Sequence, residues 1–255
     1  MYQIANLSQY VLTDAWRTGL HWILLCGALI SFALGLFLSH LGVTENQGIQ
    51  LATTAATLRL VFVFIVAVWI CSHGLREQQD QSIHMLLALP IRRGEFVLGK
   101  LFALAVIAPG AAAIATLVIL IIAPQRDAWV WGFSLSLELW LVGAFALFCA
   151  TGLRNLTSAL ATIVAFYTLS RSIAAMFLMA HAEPVVSTGV ADSAMATLVT
   201  LLAYLLPPLD QFTQSGWLAY DSPVHVNGAE LLVQSLVYSG LLGLATIWDL
   251  QRKQL

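Results

Sequence analysis

The chain has 255 residues, of which 60% are hydrophobic and only 9% are charged. Soluble domains carry about 25% charged residues, and a chain of this length cannot hide so much apolar surface in a water-soluble core. The formal net charge of −2, without a basic stripe, argues against a nucleic-acid partner. The composition therefore predicts a single integral membrane domain over residues 1–255.

Residues 1–20 predict an amphipathic helix that lies in the membrane interface. Apolar residues recur at helical spacing over 5–19, while Gln9, Asp14 and Arg17 fall on other faces. The alternative is a frayed start to the first membrane span. No small-residue cleavage site follows the first apolar run, so we expect that run to stay in the mature protein as an anchor.

Six apolar segments reach the length of about 20 residues that crosses the hydrocarbon core of a membrane. They cover residues 21–41, 52–73, 96–123, 129–152, 156–180 and 229–248. The predicted fold class is therefore all-α, with six transmembrane helices. Residues 181–228 form the largest outer segment, and its apolar run 195–206 is too short to cross. Because Pro207-Pro208 ends that run, short re-entrant outer helices are favoured.

The distribution of basic residues predicts the orientation. When the N-terminus is placed in the cytosol, the outside loops hold Arg126 alone. The inside segments then hold Arg17, Arg76, Arg92, Arg93, Lys100, Arg154, Arg252 and Lys253. By the positive-inside rule, both termini are expected in the cytosol.

The cytosolic segment 74–95, between the second and third spans, carries the densest sequence signal. Residues 76–101 read REQQDQSIHMLLALPIRRGEFVLGKL, which predicts a short helix with an apolar face. That face must lie on the membrane or in the groove of a partner. Pro90 ends the helix, because proline disfavours helix in the residue before it, and Arg92 and Arg93 follow at the anionic inner surface.

This segment resembles the cytosolic loop of the permease subunits of ATP-binding cassette (ABC) transporters, in the type 2 exporter class. The matching positions are Glu77, Gln81-Ser82, Met85-Leu86-Leu87, Leu89-Pro90-Ile91, Arg92-Arg93 and Leu98-Gly99-Lys100. The chain departs from the family pattern at Gln81, where glycine is usual. The first helix and the segment before Pro207-Pro208 are similar to the elbow and re-entrant helices of the family.

The resemblance implies a function and its partners. The chain would be the permease of an ATP-driven exporter in the bacterial cytoplasmic (inner) membrane, in contact with membrane lipid. Two copies, a homodimer in preference to a heterodimer, would form the translocation path, with accessory extracytoplasmic proteins as further candidates. Cytosolic ATPase subunits would hold ATP and Mg, so this chain needs no cofactor. The coupling contacts would be Glu77, Ser82, Leu86, Pro90, Arg92 and Arg93.

Residues 94–100 match the letters GxxxxGK of a phosphate-binding loop, but this match is rejected. Leu101 stands where that motif needs Ser or Thr for magnesium, and Lys100 leads into a membrane span. ATP hydrolysis is therefore expected in a separate polypeptide, and this chain is predicted to have no catalytic residue.

Three charged residues fall inside predicted spans, where charge is costly and marks candidate functional sites. Arg59, Glu138 and Arg171 lie at similar depth in the outer half of their spans, so Glu138 can bridge to one of the arginines. One interpretation is a polar lining of the export path. The alternative is snorkelling of Arg59 and Glu138, with a structural ion pair at Arg171.

Pro109-Gly110 interrupts the third span and can kink its helix. The kink is a candidate hinge, and a static packing feature is the alternative.

Two other function classes are weighed against the exporter. A membrane enzyme or maturation factor acting on lipid or haem would need histidines or acids clustered at one surface, and the six histidines are scattered. A secondary transporter would need inverted repeats, and none is evident. No pair of histidines has metal-binding spacing, so a metal site is not expected.

Overall fold

The computed structural model describes residues 2–41, 46–79, 93–123, 127–153, 155–181, 190–214, 216–219 and 228–252. These residues are helical with short connections, and none of them lies in a strand. The helices are α1 (Tyr2–Arg17), α2 (Leu20–Leu41), α3 (Asn46–Gln79), α4 (Arg93–Ile122), α5 (Asp127–Gly152), α6 (Leu156–His181), α7 (Val190–Leu205), the 3-10 turn η1 (Leu209–Gln211), α8 (Gly216–Ala219) and α9 (Gly228–Arg252).

Six of these helices, α2 to α6 and α9, are long and apolar enough to cross a membrane. This confirms the all-helical class and the six predicted spans of a multi-pass membrane protein. The helices run past the predicted limits, since α3 alone has 34 residues, or about 51 Å at 1.5 Å per residue. The hydrocarbon core is only about 30 Å thick, so polar residues at the ends of α3 extend the helix beyond it.

The bundle has two ends, which we name by what lies there. The α1 end holds α1 with Gln79, Arg93, Gly152 and Arg252, and the η1 end holds η1 with α8. At the α1 end, a two-residue turn joins α1 to α2, and Gly19 in that turn has φ +71°. Glycine adopts this left-handed backbone without the steric cost of a side chain. Helix α1 can therefore stop and turn directly into the first span.

Helix α5 is the centre of the bundle. In an apolar stretch of 18 residues in its span, 72% of the residues are buried, against 22% for the corresponding stretch of α6, and α5 packs against α3, α4 and α9. Trp131 and Leu135, two of its large side chains, are fully buried. The outer helices α2, α6 and α9 therefore present most of their surface to whatever surrounds the chain.

Helices α2 and α3 pack closely through a stripe of small residues. Gly27, Ser31, Gly35 and Ser39 recur every four residues on one face of α2, and all four are buried. A Cβ atom at Gly35 would lie 3.2 Å from the backbone oxygen of Gln50 on α3. Small residues allow this approach, and in membranes they replace the hydrophobic effect as the basis of helix association.

Candidate functional site

The three charged residues of the predicted spans meet at one place near the η1 end. Arg171 on α6 lies with its Nη1 3.3 Å from Glu138 Oε1 on α5. Tyr167, one turn before Arg171, donates from its hydroxyl to the same Oε1 at 2.9 Å. Glu138 has no exposed surface, so its carboxylate depends on these two donors.

Both arginines also bind the backbone of the turn formed by residues 207–213. Arg171 Nη1 donates to the carbonyl oxygens of Leu209, at 2.7 Å, and Phe212, at 3.1 Å. Arg59 Nη1, from α3, donates to the carbonyl oxygen of Thr213 at 2.8 Å. Carbonyls outside helices are costly at membrane depth unless the protein supplies donors. The two guanidinium groups supply them, and so hold the turn between α3 and α6.

Thr213 is the most constrained residue of this turn. Its φ is +46°, a region that residues with a Cβ seldom adopt. Its backbone N–H donates to Ser134 Oγ on α5 at 2.9 Å, and the residue is fully buried. The turn is thus bound to three helices, α3, α5 and α6, and these contacts fix its unusual backbone.

A second acid lies in the turn that the arginines bind. Burial raises the pKa of the Asp210 carboxyl, while the positive charge of Arg171 acts in the opposite direction. With Arg59, Glu138 and Arg171, four ionisable side chains therefore lie around one segment of irregular backbone.

This geometry bears on the two interpretations of the intramembrane charges. Within one copy of the chain, Glu138 faces only protein, and Arg171 uses its guanidinium on Glu138 and on backbone oxygens. The arrangement favours a structural ion-pair network around the 207–213 turn. A role of Arg59, Glu138 and Arg171 in lining an export path stays a prediction.

The Tyr167 hydroxyl offers a limited test of this network. Replacing Tyr167 with phenylalanine removes one of the two donors to Glu138 Oε1 and leaves the ring in place. We expect a loss of about 1–3 kcal/mol in unfolding free energy, because a buried acceptor loses a partner. Unfolding in mixed micelles measures it, and Tyr204→Phe, at an exposed position, is the matched control. Equal stability of the two variants would contradict the assignment of this hydrogen bond.

A second cluster of charges, which we call the stem cluster, lies at the α1 end. Glu77 on α3 pairs with Lys100 on α4, whose Nζ donates to Glu77 Oε2. His73 lies between two acids, with Nε2 3.1 Å from Glu77 Oε1 and Nδ1 3.1 Å from Asp14 Oδ2 on α1. The side chains of Glu77 and Lys100 are only 8% and 7% exposed. Three helices are therefore joined near Gln79 and Arg93, the described residues on either side of segment 80–92.

The predicted coupling residues fall into three groups. Ser82, Leu86, Pro90 and Arg92 lie outside the described residues. Arg93 is the first residue of α4. Glu77 is buried and paired within the chain, so its carboxylate organises the loop stems and is not presented on the surface. The coupling role of the whole set stays a prediction.

Sequence reasoning missed Lys100 and Gly99 as structural residues, although their motif was noticed. A Cβ atom at Gly99 would lie 2.7 Å from Leu7 Cδ2, so the absent side chain leaves room for α1 on α4. Lys100, next in sequence, reaches Glu77. The Gly-Lys pair that resembles the end of a phosphate-binding loop is therefore used for helix packing and ion pairing. The signal was available as an acid and a lysine that both border the same loop.

The candidate hinge is helical in this structure. Helix α4 continues through Pro109 and Gly110 without a break, and both residues are exposed. No atom lies within 4 Å of a Cβ built on Gly110. The hinge role stays a prediction, and packing at Gly110 does not explain its glycine.

Comparison with known proteins leaves the site to be interpreted from its own geometry. No model of a known protein family matches the chain, and no curated protein matches it. Among the described residues, no group of three or more His, Cys, Asp or Glu side chains has the geometry of a metal site.

Proposed function

We propose that this chain is the membrane-spanning permease subunit of an ATP-driven exporter of the type 2 ABC class. The observation that carries the proposal is the 76–101 segment, with its Leu-Pro-Ile, Arg-Arg and Gly-Lys elements. The stem cluster supports it, because Glu77 and Lys100 brace both ends of the loop that would receive the ATPase. A braced loop transmits force to the spans, whereas a loop with free ends would absorb it.

The surface of α6 supports a path formed by two copies. Its exposed face carries hydroxyl side chains along much of the span: Ser158, Thr162, Thr168 and Ser172. Their hydroxyls donate to carbonyls of the preceding turn, so they remain acceptors on a face that also exposes Ala161, Ala165 and Met176. By contrast, α2 exposes Leu29, Ile30 and Phe37, as a lipid-facing helix would. Small and hydroxyl residues in membranes favour contact with another helix or with a polar path.

The proposed orientation places the α1 end in the cytosol of a bacterial cell, at its inner membrane. The stem cluster and loop 80–92 then face the ATPase, and the 207–213 turn lies near the outer surface. Two ATPase subunits would bind two copies of this chain, and their closure on ATP would move the spans through the loops. ATP and magnesium belong to that partner, and no bond is made or broken by this chain.

Association with an ATPase tests the proposal. The chain is co-expressed with each ABC ATPase subunit encoded in the same genome, and co-purification and ATP hydrolysis are measured in nanodiscs. We expect Leu86→Asp to weaken association by about thirtyfold, as for an apolar residue central to an interface. Gln211→Glu adds a negative charge at the exposed opposite end and is expected to have no effect. An ATPase that never co-purifies, or equal binding by both variants, would overturn the proposal.

A further inference from the structure

The stem cluster is a row of four ionisable side chains from three helices. It runs from Asp14 on α1 through His73 and Glu77 on α3 to Lys100 on α4, with both histidine contacts at 3.1 Å. The imidazole therefore lies between two carboxylates, and Glu77 lies between the imidazole and the ammonium group of Lys100.

The position of this row in the chain is specific. Glu77 lies two residues before the last residue of α3, and Lys100 lies seven residues after the first residue of α4. These two side chains therefore join the two stems of the 80–92 loop. Asp14 lies in the last turn of α1, so His73 joins that helix to the same stems.

Neighbouring contacts hold α1 in the same place. Trp69 Nε1 donates to Thr18 Oγ1 at 3.0 Å, and the Trp69 ring stacks on His73 with the ring planes 3° apart. At the other end of α1, Leu7 packs where Gly99 lacks a side chain. Helix α1 thus has an apolar seat on α4 and a polar attachment to α3.

Buried ion pairs are a poor source of stability, because desolvation offsets most of the attraction between the charges. Their best-attested use is to fix one arrangement of helices over its alternatives. An apolar pair in place of Glu77 and Lys100 would also hold α3 and α4 together, but it would not fix the position of α1 against them. The row Asp14–His73–Glu77–Lys100 instead fixes the relative position of three helices at once.

We infer that the row Asp14–His73–Glu77–Lys100 is a positioning device that fastens α1 to both stems of the 80–92 loop, so that movement of the loop moves α1. The source of that movement, an ATPase on the loop, rests on the proposed function. Asp14, His73 and Lys100 become positioning residues for coupling. Helix α1, on the surface of the bundle, is then the element that a movement of the loop displaces first.

The attachment of α1 is tested on the chain alone in nanodiscs, by hydrogen–deuterium exchange of residues 5–17. Asp14→Asn is expected to speed their exchange by about fivefold, because α1 loses the carboxylate that contacts His73 at 3.1 Å. Thr13→Val, at the exposed neighbouring position, is the control and is expected to leave exchange unchanged. His73→Gln is a second variant should Asp14→Asn not fold. Unchanged exchange in the folded variants would overturn the attachment.

The transmission of movement is tested with the bound ATPase. In the native chain, ATP with vanadate is expected to change the exchange of residues 5–17. Asp14→Asn changes a side chain of α1 that lies outside the segment 76–101, so ATPase binding is expected to persist in the folded variant. The response of α1 to nucleotide is expected to disappear, and a full response would overturn the inference. If no ATPase binds, the proposed function fails, and the Asp14→Asn result still decides whether α1 is fastened.

Discussion

Replacing Arg171 with leucine is expected to destabilise the folded chain by about 3–5 kcal/mol, the cost of removing one partner of a buried ion pair. Glu138 Oε1 would keep only Tyr167 as a donor, and the buried carboxylate would lose its ion-pair partner. The carbonyls of Leu209 and Phe212 would also lose the donor that Arg171 supplies. Unfolding in mixed detergent micelles measures the free energy, and size-exclusion chromatography measures the yield of folded protein.

Two companion variants separate charge from geometry. Arg171→Lys keeps the charge but loses the fork that reaches the acid and the carbonyls together, so an intermediate loss is expected. The double variant Arg171→Leu/Glu138→Leu removes both charges and is expected to recover about half of the loss, because the carbonyls stay without a donor. Full stability of Arg171→Leu would refute the structural network. Unchanged assembly and export in that variant would also exclude Arg171 from the path.

Replacing Gly35 with leucine is expected to cost about 3 kcal/mol through forced separation of α2 from α3. A Cβ added at Gly35 would lie 1.9 Å from Thr54 Oγ1 and 3.2 Å from the Gln50 carbonyl oxygen. The threonine can be removed, but the backbone of α3 can only move away. The same micelle unfolding assay measures this effect, with Gly110→Leu as the control.

The control and a compensating variant make this prediction specific. Gly110 has no atom within 4 Å of its Cβ position, and leucine is the better helix former by under about 1 kcal/mol. Gly110→Leu is therefore expected to be neutral or slightly stabilising. Thr54→Ala should restore part of the stability of Gly35→Leu, since it removes the atom nearest to the new Cβ. If Gly35→Leu and Gly110→Leu behave alike, the close packing of α2 on α3 is wrong.

The two charged clusters differ in the groups that they pair, and this difference gives them different structural roles. Near the η1 end, Arg59 and Arg171 satisfy backbone oxygens of one irregular turn. At the α1 end, Lys100 pairs with a side-chain carboxylate, and His73 contacts two carboxylates, one on α1 and one on α3. The first arrangement immobilises a segment, because a carbonyl cannot change its charge or leave the backbone. The second joins separate helices, and is the better suited to passing a movement between them.

Sequence by itself determined the class of this protein and the number of its spans. The number of apolar runs, their lengths and the low charge are local properties of the sequence. Because unpaired backbone groups are costly in lipid, an apolar run that enters the membrane must form a helix. The same cost marked Arg59, Glu138 and Arg171 as a group that belongs together. The sequence did not predict that the arginines would bind the turn at 207–213, because every residue has a backbone carbonyl and the sequence does not show which carbonyls lack a partner.

Only the tertiary structure decided which groups pair. Whether Glu77 turns outward to a partner or inward to Lys100 depends on the rotation and depth of α3 against α4. The sequence around Glu77 is the same in both cases, so it does not distinguish them. That rotation and depth are set by close packing on α5, where Gly143 leaves room for Ile70 of α3 and Leu104 of α4. Such contacts join residues far apart in sequence, and they depend on shape as much as on hydrophobicity. Apolar length therefore specifies that a helix crosses a membrane, and packing specifies which of its side chains meet.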